Sequence, residues 1–192
     1  RLPLVAGAGQ KPTDEETRES LRRFLSTAAP LLGVDLKHVS LVEVTDAASG
    51  SRRASYRQNP FAYPLRNGYG SIEVTFTPDL RVVGLSSTAV PDAERLSRTL
   101  AAVPKTVTAE QAVAALNNRP VTYADRNGAQ QTRTLAQLDP TAARQLVVFP
   151  IRRDADPASL ELHVAWEVAA DPTLFVYVDA ATGDVIGASS ER

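Results

Sequence analysis

The run LELHVAWEV, residues 160–168, decides the fold class, because its apolar side chains recur at every second position. Strict alternation of this kind is typical of a β-strand with one buried face and one polar face. An apolar run precedes it at 145–151, and two β-rich runs follow at 173–178 and 184–189. With Thr182 and Gly183 forming the last turn, these runs predict an antiparallel sheet.

The first half of the chain contains a similar set of predicted strands, at 39–45, 51–58, 70–77 and 81–87. The hairpin that ends this half closes on Gly84-Leu-Ser-Ser, and the hairpin that ends the chain closes on Gly187-Ala-Ser-Ser. Aligning the two glycines gives an offset of 187 − 84 = 103 residues. We interpret this similarity as an internal repeat.

Each half also begins with a helix that the sequence marks by a capping box. Thr13 is followed three residues later by Glu16, and Thr108 is followed in the same way by Gln111. In this motif the two side chains bond each other's backbone N–H groups at the start of a helix. Apolar residues at 21, 24, 25, 28 and 32 then fall on one helical face.

The pattern as a whole predicts an α+β fold with two related halves, each a helix packed on an antiparallel sheet. We expect an extended lead-in at 1–12, a first half at 13–103 and a second half at 104–192. The first half includes a further helix at 91–103. The second half includes a hairpin around Asn127-Gly128 and a short helix capped by Asp139.

Composition excludes several functions. The 192 residues are 43% hydrophobic and 22% charged, which is typical of a globular protein. Twenty-one basic and 22 acidic residues leave a net charge of −1, so the overall basic field of a nucleic-acid-binding protein is absent. The lack of cysteine excludes disulfides, thiol nucleophiles and cysteine-ligated metals. No apolar run reaches the roughly 20 residues of a membrane helix.

The chain begins at Arg1 and contains no methionine. We therefore expect it to be a processed or trimmed piece, with any signal peptide outside it.

The sequence contains no catalytic or metal-binding motif that we recognise, and we predict no cofactor. Its two histidines, His38 and His163, lack the His-Glu-x-x-His spacing of zinc sites and are interpreted as surface or hydrogen-bonded residues. The string from Gly84 to Thr88 is the nearest to a nucleophile elbow, but it lies at a strand end. Asp154 and Asp156 are predicted to lie in a solvated charged loop with Arg152 and Arg153.

Aromatic residues form the most notable candidate binding feature. Phe61, Tyr63 and Tyr69 lie in the loop between two predicted strands. Exposed aromatic side chains in a loop can anchor a partner, and they can equally fold back to cover a sheet edge. Both interpretations stay open. Trp166 belongs to the apolar alternation and is predicted to lie in the core.

Three stretches resemble the propeptides of secreted thermolysin-type metallopeptidases, which combine an FTP domain with a PepSY domain. ASYRQNPFAYPLRNGYGSIEVTF at 54–76, with PDLRVVGL at 78–85, is similar to the FTP strand, proline-containing loop and hairpin. LHVAWEV at 162–168 and FVYVDAATGDVI at 175–186 resemble the end of a PepSY domain, and TAEQAVAAL at 108–116 resembles its first helix. Ala62 departs from the pattern, which usually has glycine before the loop proline, and the insertion at 121–139 has no counterpart.

The resemblance implies a cystatin-like helix-on-sheet fold, an exported location and a role as an inhibitor or intramolecular chaperone of a peptidase. It supplies no catalytic residues. The first hypothesis is therefore a non-catalytic, propeptide-like module whose partner is a secreted metallopeptidase or another exported protein. The alternative is a free-standing exported or periplasmic protein that binds a peptide or cell-envelope component. An enzyme with an unfamiliar polar site is a third hypothesis, and it requires a concave pocket with converging ionisable groups.

Overall fold

A computed structural model describes residues 2–3, 12–47, 50–125, 127–153 and 156–190. Most of the predicted lead-in at 1–12 lies outside these residues, as does Asp154. The chain forms two compact units, one of residues up to 60 together with 68–95, and one of residues 61–67 together with 96–192. The predicted boundaries at 12/13 and 103/104 stay a prediction.

The first unit is a helix on a four-stranded antiparallel sheet. Helix α1 spans Asp14–Leu32, and a single 3-10 turn at Leu36–His38 leads into the sheet. The sheet order is β1-β2-β3-β4, so each strand pairs with its neighbour in sequence. The strands are β1 (Val39–Asp46), β2 (Arg52–Gln58), β3 (Ser71–Phe76) and β4 (Val82–Ser87). Helix α2 (Ala93–Ala101) follows β4, and the division between the units falls within it.

The second unit repeats this plan and adds a hairpin. Its helix α3 spans Ala109–Ala114, and a two-stranded hairpin follows, β5 (Pro120–Ala124) with β6 (Gln130–Thr134). A 3-10 turn at Pro140–Ala142 precedes the second four-stranded sheet, in which successive strands again pair antiparallel. Its strands are β7 (Ala143–Arg153), β8 (Asp156–Ala169), β9 (Leu174–Asp179) and β10 (Val185–Ser190). The predicted α+β fold with two related halves is thus confirmed.

Local sequence signals explain the helix ends. Thr13 and Thr108 both form complete capping boxes with the residues three positions later, as predicted. Helix α1 ends at Gly33, whose φ of 65° is the left-handed conformation that glycine adopts without strain. The amide of Gly33 donates to the carbonyls of Ala29 and Pro30, which satisfies groups that the last turn leaves open.

The core of the first unit lies between α1 and one face of its sheet. Leu21 and Leu25 of α1 pack against the fully buried Ile72, Val74 and Phe76 of β3. The side chains between these β3 residues are only half-buried, which matches the predicted alternation. One face of this sheet is therefore apolar and covered, and the other is polar.

The second sheet is covered on both faces, which the alternation at 160–168 did not predict. Leu116, which lies in the turn after α3, packs against Val168 and Val176 on one face, where Trp166 is partly buried as expected. On the opposite face a separate cluster buries Val147, Phe149, Ala165 and Tyr177.

Two further expectations for β8 were wrong. Glu167 is buried rather than solvated, because it lies on this second covered face. Arg152, Arg153 and Asp156, which were predicted to lie in a charged loop, belong instead to strands β7 and β8.

The internal repeat extends to an irregularity in the strand pairing. In β3–β4 the register passes from Phe76–Val82 to Thr75–Gly84, which leaves Val83 as an extra residue. In β9–β10 it passes from Val178–Val185 to Tyr177–Gly187, which leaves Ile186 as an extra residue. Each repeat glycine therefore follows a β-bulge, a feature that increases the local twist.

The two repeat glycines differ in how closely other groups approach them. A Cβ atom at Gly187 would lie 2.6 Å from the ring of Phe149, whereas a Cβ atom at Gly84 would lie 3.5 Å from Thr75. The Phe149 ring is itself held by stacking on Tyr177, with centroids 4.2 Å apart. Only Gly187 thus lies where a side chain would overpack the core.

We expect Gly187→Ala to lower the free energy of unfolding by about 1–3 kcal/mol, the usual cost of overpacking. Gly84→Ala is the matched control, and we expect a change of less than about 1 kcal/mol because the added methyl group makes ordinary contacts. Urea denaturation of both variants measures the difference. Equal effects at the two positions would contradict the packing of Phe149 over Gly187.

Candidate functional site

The predicted aromatic loop is divided between the two units. Phe61 and Tyr63 belong to the second unit and Tyr69 to the first, and all three side chains are half-buried. The ammonium of Lys105 lies 5.9 Å from the centroid of the Tyr63 ring, at the limit of a cation–π contact. The binding role of these aromatic residues stays a prediction.

The residues directly after Tyr63 pair with the outer edge of β7. The Val148 amide donates to the carbonyl of Pro64 at 2.8 Å, and the Arg66 amide donates to the carbonyl of Val148 at 3.0 Å. Asn67 extends the contact by donating its side-chain N–H to the carbonyl of Pro150 at 2.8 Å. This segment therefore pairs with a sheet edge through the backbone of Pro64 and Arg66, and whether the aromatic side chains beside it also cover that edge stays a prediction.

An ion pair holds the same segment against the covered face of the second sheet. The Arg66 guanidinium donates to both carboxylate oxygens of Glu167, at 2.6 and 3.2 Å. Gln145 donates to the same carboxylate at 2.9 Å. Burial pushes the pKa of Glu167 upward, but the bonds from Arg66 and Gln145 outweigh it and hold this pKa below its ordinary value. Glu167 is thus an anionic anchor of the fold.

His163 takes part in a second polar contact, at the turn after β9. Its Nδ1 lies 2.7 Å from Oδ2 of Asp179. The other carboxylate oxygen of Asp179 accepts the backbone amides of Ala181 and Thr182, at 2.7 and 3.0 Å. Burial pushes the pKa of Asp179 upward, but these hydrogen bonds outweigh the effect of burial, so the pKa lies below its ordinary value. His163 is therefore the hydrogen-bonded residue that was predicted, and it braces a turn.

His38 lies in a small cluster with two carboxylates. The ligand atoms of Asp35, His38 and Glu94 come within 4.8 Å of one another. Lys37, however, already pairs with both carboxylates, at 3.0 Å from Asp35 and 2.8 Å from Glu94. The lysine ammonium supplies the positive charge that a cation would bring, so the two carboxylates form an exposed salt-bridge network with Lys37. Contrary to the expectation of a surface or hydrogen-bonded histidine, Nε2 of His38 is buried and has no hydrogen-bond partner among the described residues.

A pocket of about 420 Å³ opens in the first unit, between α1 and the β1 side of its sheet. It comes about because α1 covers β3 fully but leaves Val39 and Leu41 of β1 only partly buried. The volume lies within the range of natural ligand pockets. Its lining consists of Arg18, Arg22, Leu25, Leu36, Val39, Leu41 and Tyr56.

The polar groups of this pocket differ in whether they have hydrogen-bond or ion-pair partners. Tyr56 is 7% exposed, and burial raises its pKa to about 12, so its hydroxyl stays a neutral donor at ordinary pH. That hydroxyl has no hydrogen-bond partner among the described residues. Arg22 is paired with Glu19 at 2.8 Å. Arg18 has no ion-pair partner in the described part of the chain.

The pocket adjoins a free sheet edge. Within the described ranges, β1 pairs only with β2, so its outer edge carries no strand. A bulge at Val42 interrupts the strand, and this side chain is 62% exposed. The other edge of the same sheet, β4, exposes 43% of Leu85. Open backbone and an apolar pocket thus coincide at β1.

Sequence reasoning did not find this site. The spacing of Arg18, Arg22 and Leu25 places them on one stripe of α1, and that signal was available. Nothing local indicated that the stripe would face Leu41 and Tyr56, which lie in two other elements. The pairing of Arg66 with Glu167 was equally hidden, since 101 residues separate the two side chains.

No family model matches the chain, and no curated protein is similar to it. Among solved structures, the chain is similar to the C-terminal domain of YpeB from Bacillus megaterium. The identity is 12% and the TM-score 0.36, over 99% of this chain and 69% of that one. A similarity this low does not indicate a function. Among the described residues, no helix has the length and apolar content to cross a membrane.

We expect Glu167→Gln to lower the free energy of unfolding by about 1–3 kcal/mol at neutral pH, because it removes the charge of the buried carboxylate that Arg66 and Gln145 bond. The folded-state pKa of Glu167 is depressed, so its contribution is complete above the ordinary value of 4.5. That contribution disappears as the pH falls from there through the folded pKa. The difference in free energy of unfolding between the wild type and the Glu167→Gln variant should therefore become smaller in acid.

Glu73→Gln is the matched control, because Glu73 is also on a strand beside an arginine, but 43% exposed and 3.9 Å from Arg53. Its effect should stay below about 1 kcal/mol, as for surface pairs generally. Chemical denaturation across a pH series measures both variants. A Glu167→Gln gap that stays constant with pH would contradict the ionised pair.

Proposed function

We propose that this chain is a non-catalytic, exported binding module that takes an extended segment of a protein partner along β1. The observation that carries the proposal is the coincidence of an unpaired strand edge with an apolar pocket at Val39 and Leu41. An added strand gains affinity from backbone hydrogen bonds, while its alternate side chains enter pockets beside the sheet.

The contrast with the β7 edge supports this choice. The backbone of Val148 on that edge is paired by Pro64 and Arg66 of the same chain. The bulge at Val42 restricts pairing on β1 to short runs. Such a bulge discourages extended edge-to-edge aggregation, and a short partner segment beside 39–41 remains compatible with it.

The state of the ionisable groups supports a non-catalytic role. The carboxylates of Glu167 and Asp179 have lowered pKa values because each is hydrogen-bonded within the fold. Carboxylates held in the ionised state by internal partners are structural anchors, whereas a general acid needs a raised pKa.

The resemblance to FTP and PepSY propeptides makes an exported metallopeptidase the first partner to test. In that role the module would restrain the peptidase or assist its folding by offering complementary surface. The alternative is a free-standing binding protein for an exported peptide or envelope component. The same edge and pocket would serve either partner, so the partner's identity decides between the two roles.

The first experiment is affinity capture from secreted and envelope fractions with the full chain, followed by assay of every captured hydrolase. We expect recovery of a metallopeptidase whose activity falls when the chain is added. Capture of another exported protein would replace the peptidase role with the alternative. Recovery of no partner in either fraction would overturn the binding role.

The β1 edge is tested by Val42→Lys, because a lysine on an edge strand disfavours the addition of another strand. We expect partner affinity to fall by about tenfold or more. Leu85→Lys is the matched control, since it introduces the same charge at an exposed apolar position on the opposite edge. Equal binding by the Val42→Lys variant and the wild type would overturn the assignment to β1.

A further inference from the structure

We infer that the pocket beside β1 accepts one apolar side chain of the bound segment, and that Arg18 selects an acidic residue two positions away from it. This inference rests on the proposed function and names the peptide sequence class that the site prefers. The pocket's walls, its polar groups and its position along β1 support the inference.

The walls of the pocket are suited to one large apolar side chain. Leu25, Leu36, Val39 and Leu41 contribute aliphatic surface from three separate elements. A leucine or phenylalanine side chain is smaller than the pocket volume of about 420 Å³, so it can enter the pocket whole. The arginine stems at positions 18 and 22 add further apolar lining, while their charged ends remain near solvent.

Tyr56 supplies a polar group to this otherwise apolar space. The residue is only 7% exposed, and its hydroxyl has no hydrogen-bond partner among the described residues. That hydroxyl is not one of the fully buried atoms that lack a partner, so it reaches the open space of the pocket that Tyr56 lines. A carbonyl oxygen of a bound peptide would provide the missing acceptor, so the tyrosine favours a ligand with a polar backbone next to its apolar group.

The charge at the mouth of the pocket is positive on one side. Glu19 already bonds Arg22, and it also bonds Arg23 at 2.8 Å. Arg18 has no such partner in the part of the chain that the structure describes, although Glu15 and Glu19 are near it in sequence on α1. Arg18 is thus the cation left to attract an acidic group of the ligand.

A peptide fits this arrangement better than a fatty acid does. Val39 and Leu41 belong to a strand whose outer edge is unpaired, and only a polypeptide offers backbone groups in register with it. In an extended chain, side chains two residues apart lie on the same face, about 7 Å from each other. An apolar residue in the pocket would therefore have its next same-face neighbour near the mouth, where Arg18 lies.

The test uses short, blocked, fluorescent peptides built on alternating threonine and measured by anisotropy at low salt. The reference peptide has one phenylalanine and, two residues later, one glutamate. Replacing the phenylalanine by alanine should weaken binding by about tenfold. Replacing the glutamate by lysine should weaken it by roughly fivefold, the size of a partly exposed charge effect.

Variants of the chain assign these preferences to residues. Arg18→Gln should abolish the preference for glutamate over lysine. Arg23→Gln is the matched control and should retain it, because Arg23 also lies on α1 but does not line the pocket. Tyr56→Phe should weaken every peptide by a similar factor, since its hydroxyl is expected to contact the backbone. Circular dichroism confirms that each variant is folded.

Several outcomes would overturn the inference. They are equal affinity for all the peptides, a glutamate preference that survives Arg18→Gln, and no binding at millimolar peptide. Arg18-dependent binding of decanoate without binding of any peptide would replace the peptide by an apolar carboxylate as the occupant. None of these results affects the capture experiment, in which loss of all partners overturns the proposed function itself.

Discussion

The outer strand of a β-sheet leaves backbone N–H and C=O groups without partners, and this constraint organises both units of the chain. At β7 the amide and the carbonyl of Val148 are satisfied by Pro64 and Arg66, which come from a segment far away in sequence. At β1 the described residues provide no such cover. The chain thus closes one edge itself and leaves another open, and the candidate site follows from this difference.

Closing the edge of β7 has consequences for the interior of the second unit. The segment that pairs with β7 brings Arg66 to Glu167, so the buried carboxylate of Glu167 has a partly exposed counter-charge beside it. Phe149 and Tyr177 pack on the same face of the sheet. The face that an alternating strand would expose to water becomes a second core, with a polar network at its margin.

Side chains elsewhere take the place of backbone partners in the same way. Gln58 is 1% exposed and bonds both the amide and the carbonyl of Val90, at 2.8 and 2.9 Å. The Gln58 side chain therefore makes the two hydrogen bonds that a paired backbone would make with Val90 at the end of the first sheet. This contact gives a physical reason for a glutamine at this position, because an apolar residue there would leave two buried backbone groups unsatisfied.

The sequence by itself determined the elements and their order. The capping boxes at Thr13 and Thr108 and the offset between Gly84 and Gly187 are local signals with which the structure agrees, and the alternation at 160–168 correctly marked a strand but not the burial of both its faces. Only tertiary structure decided which faces are covered, where Arg66 finds its counter-charge and how α1 leaves a pocket beside β1. These features arise from contacts between residues far apart in sequence, whereas periodicity and capping report only on neighbours along the chain.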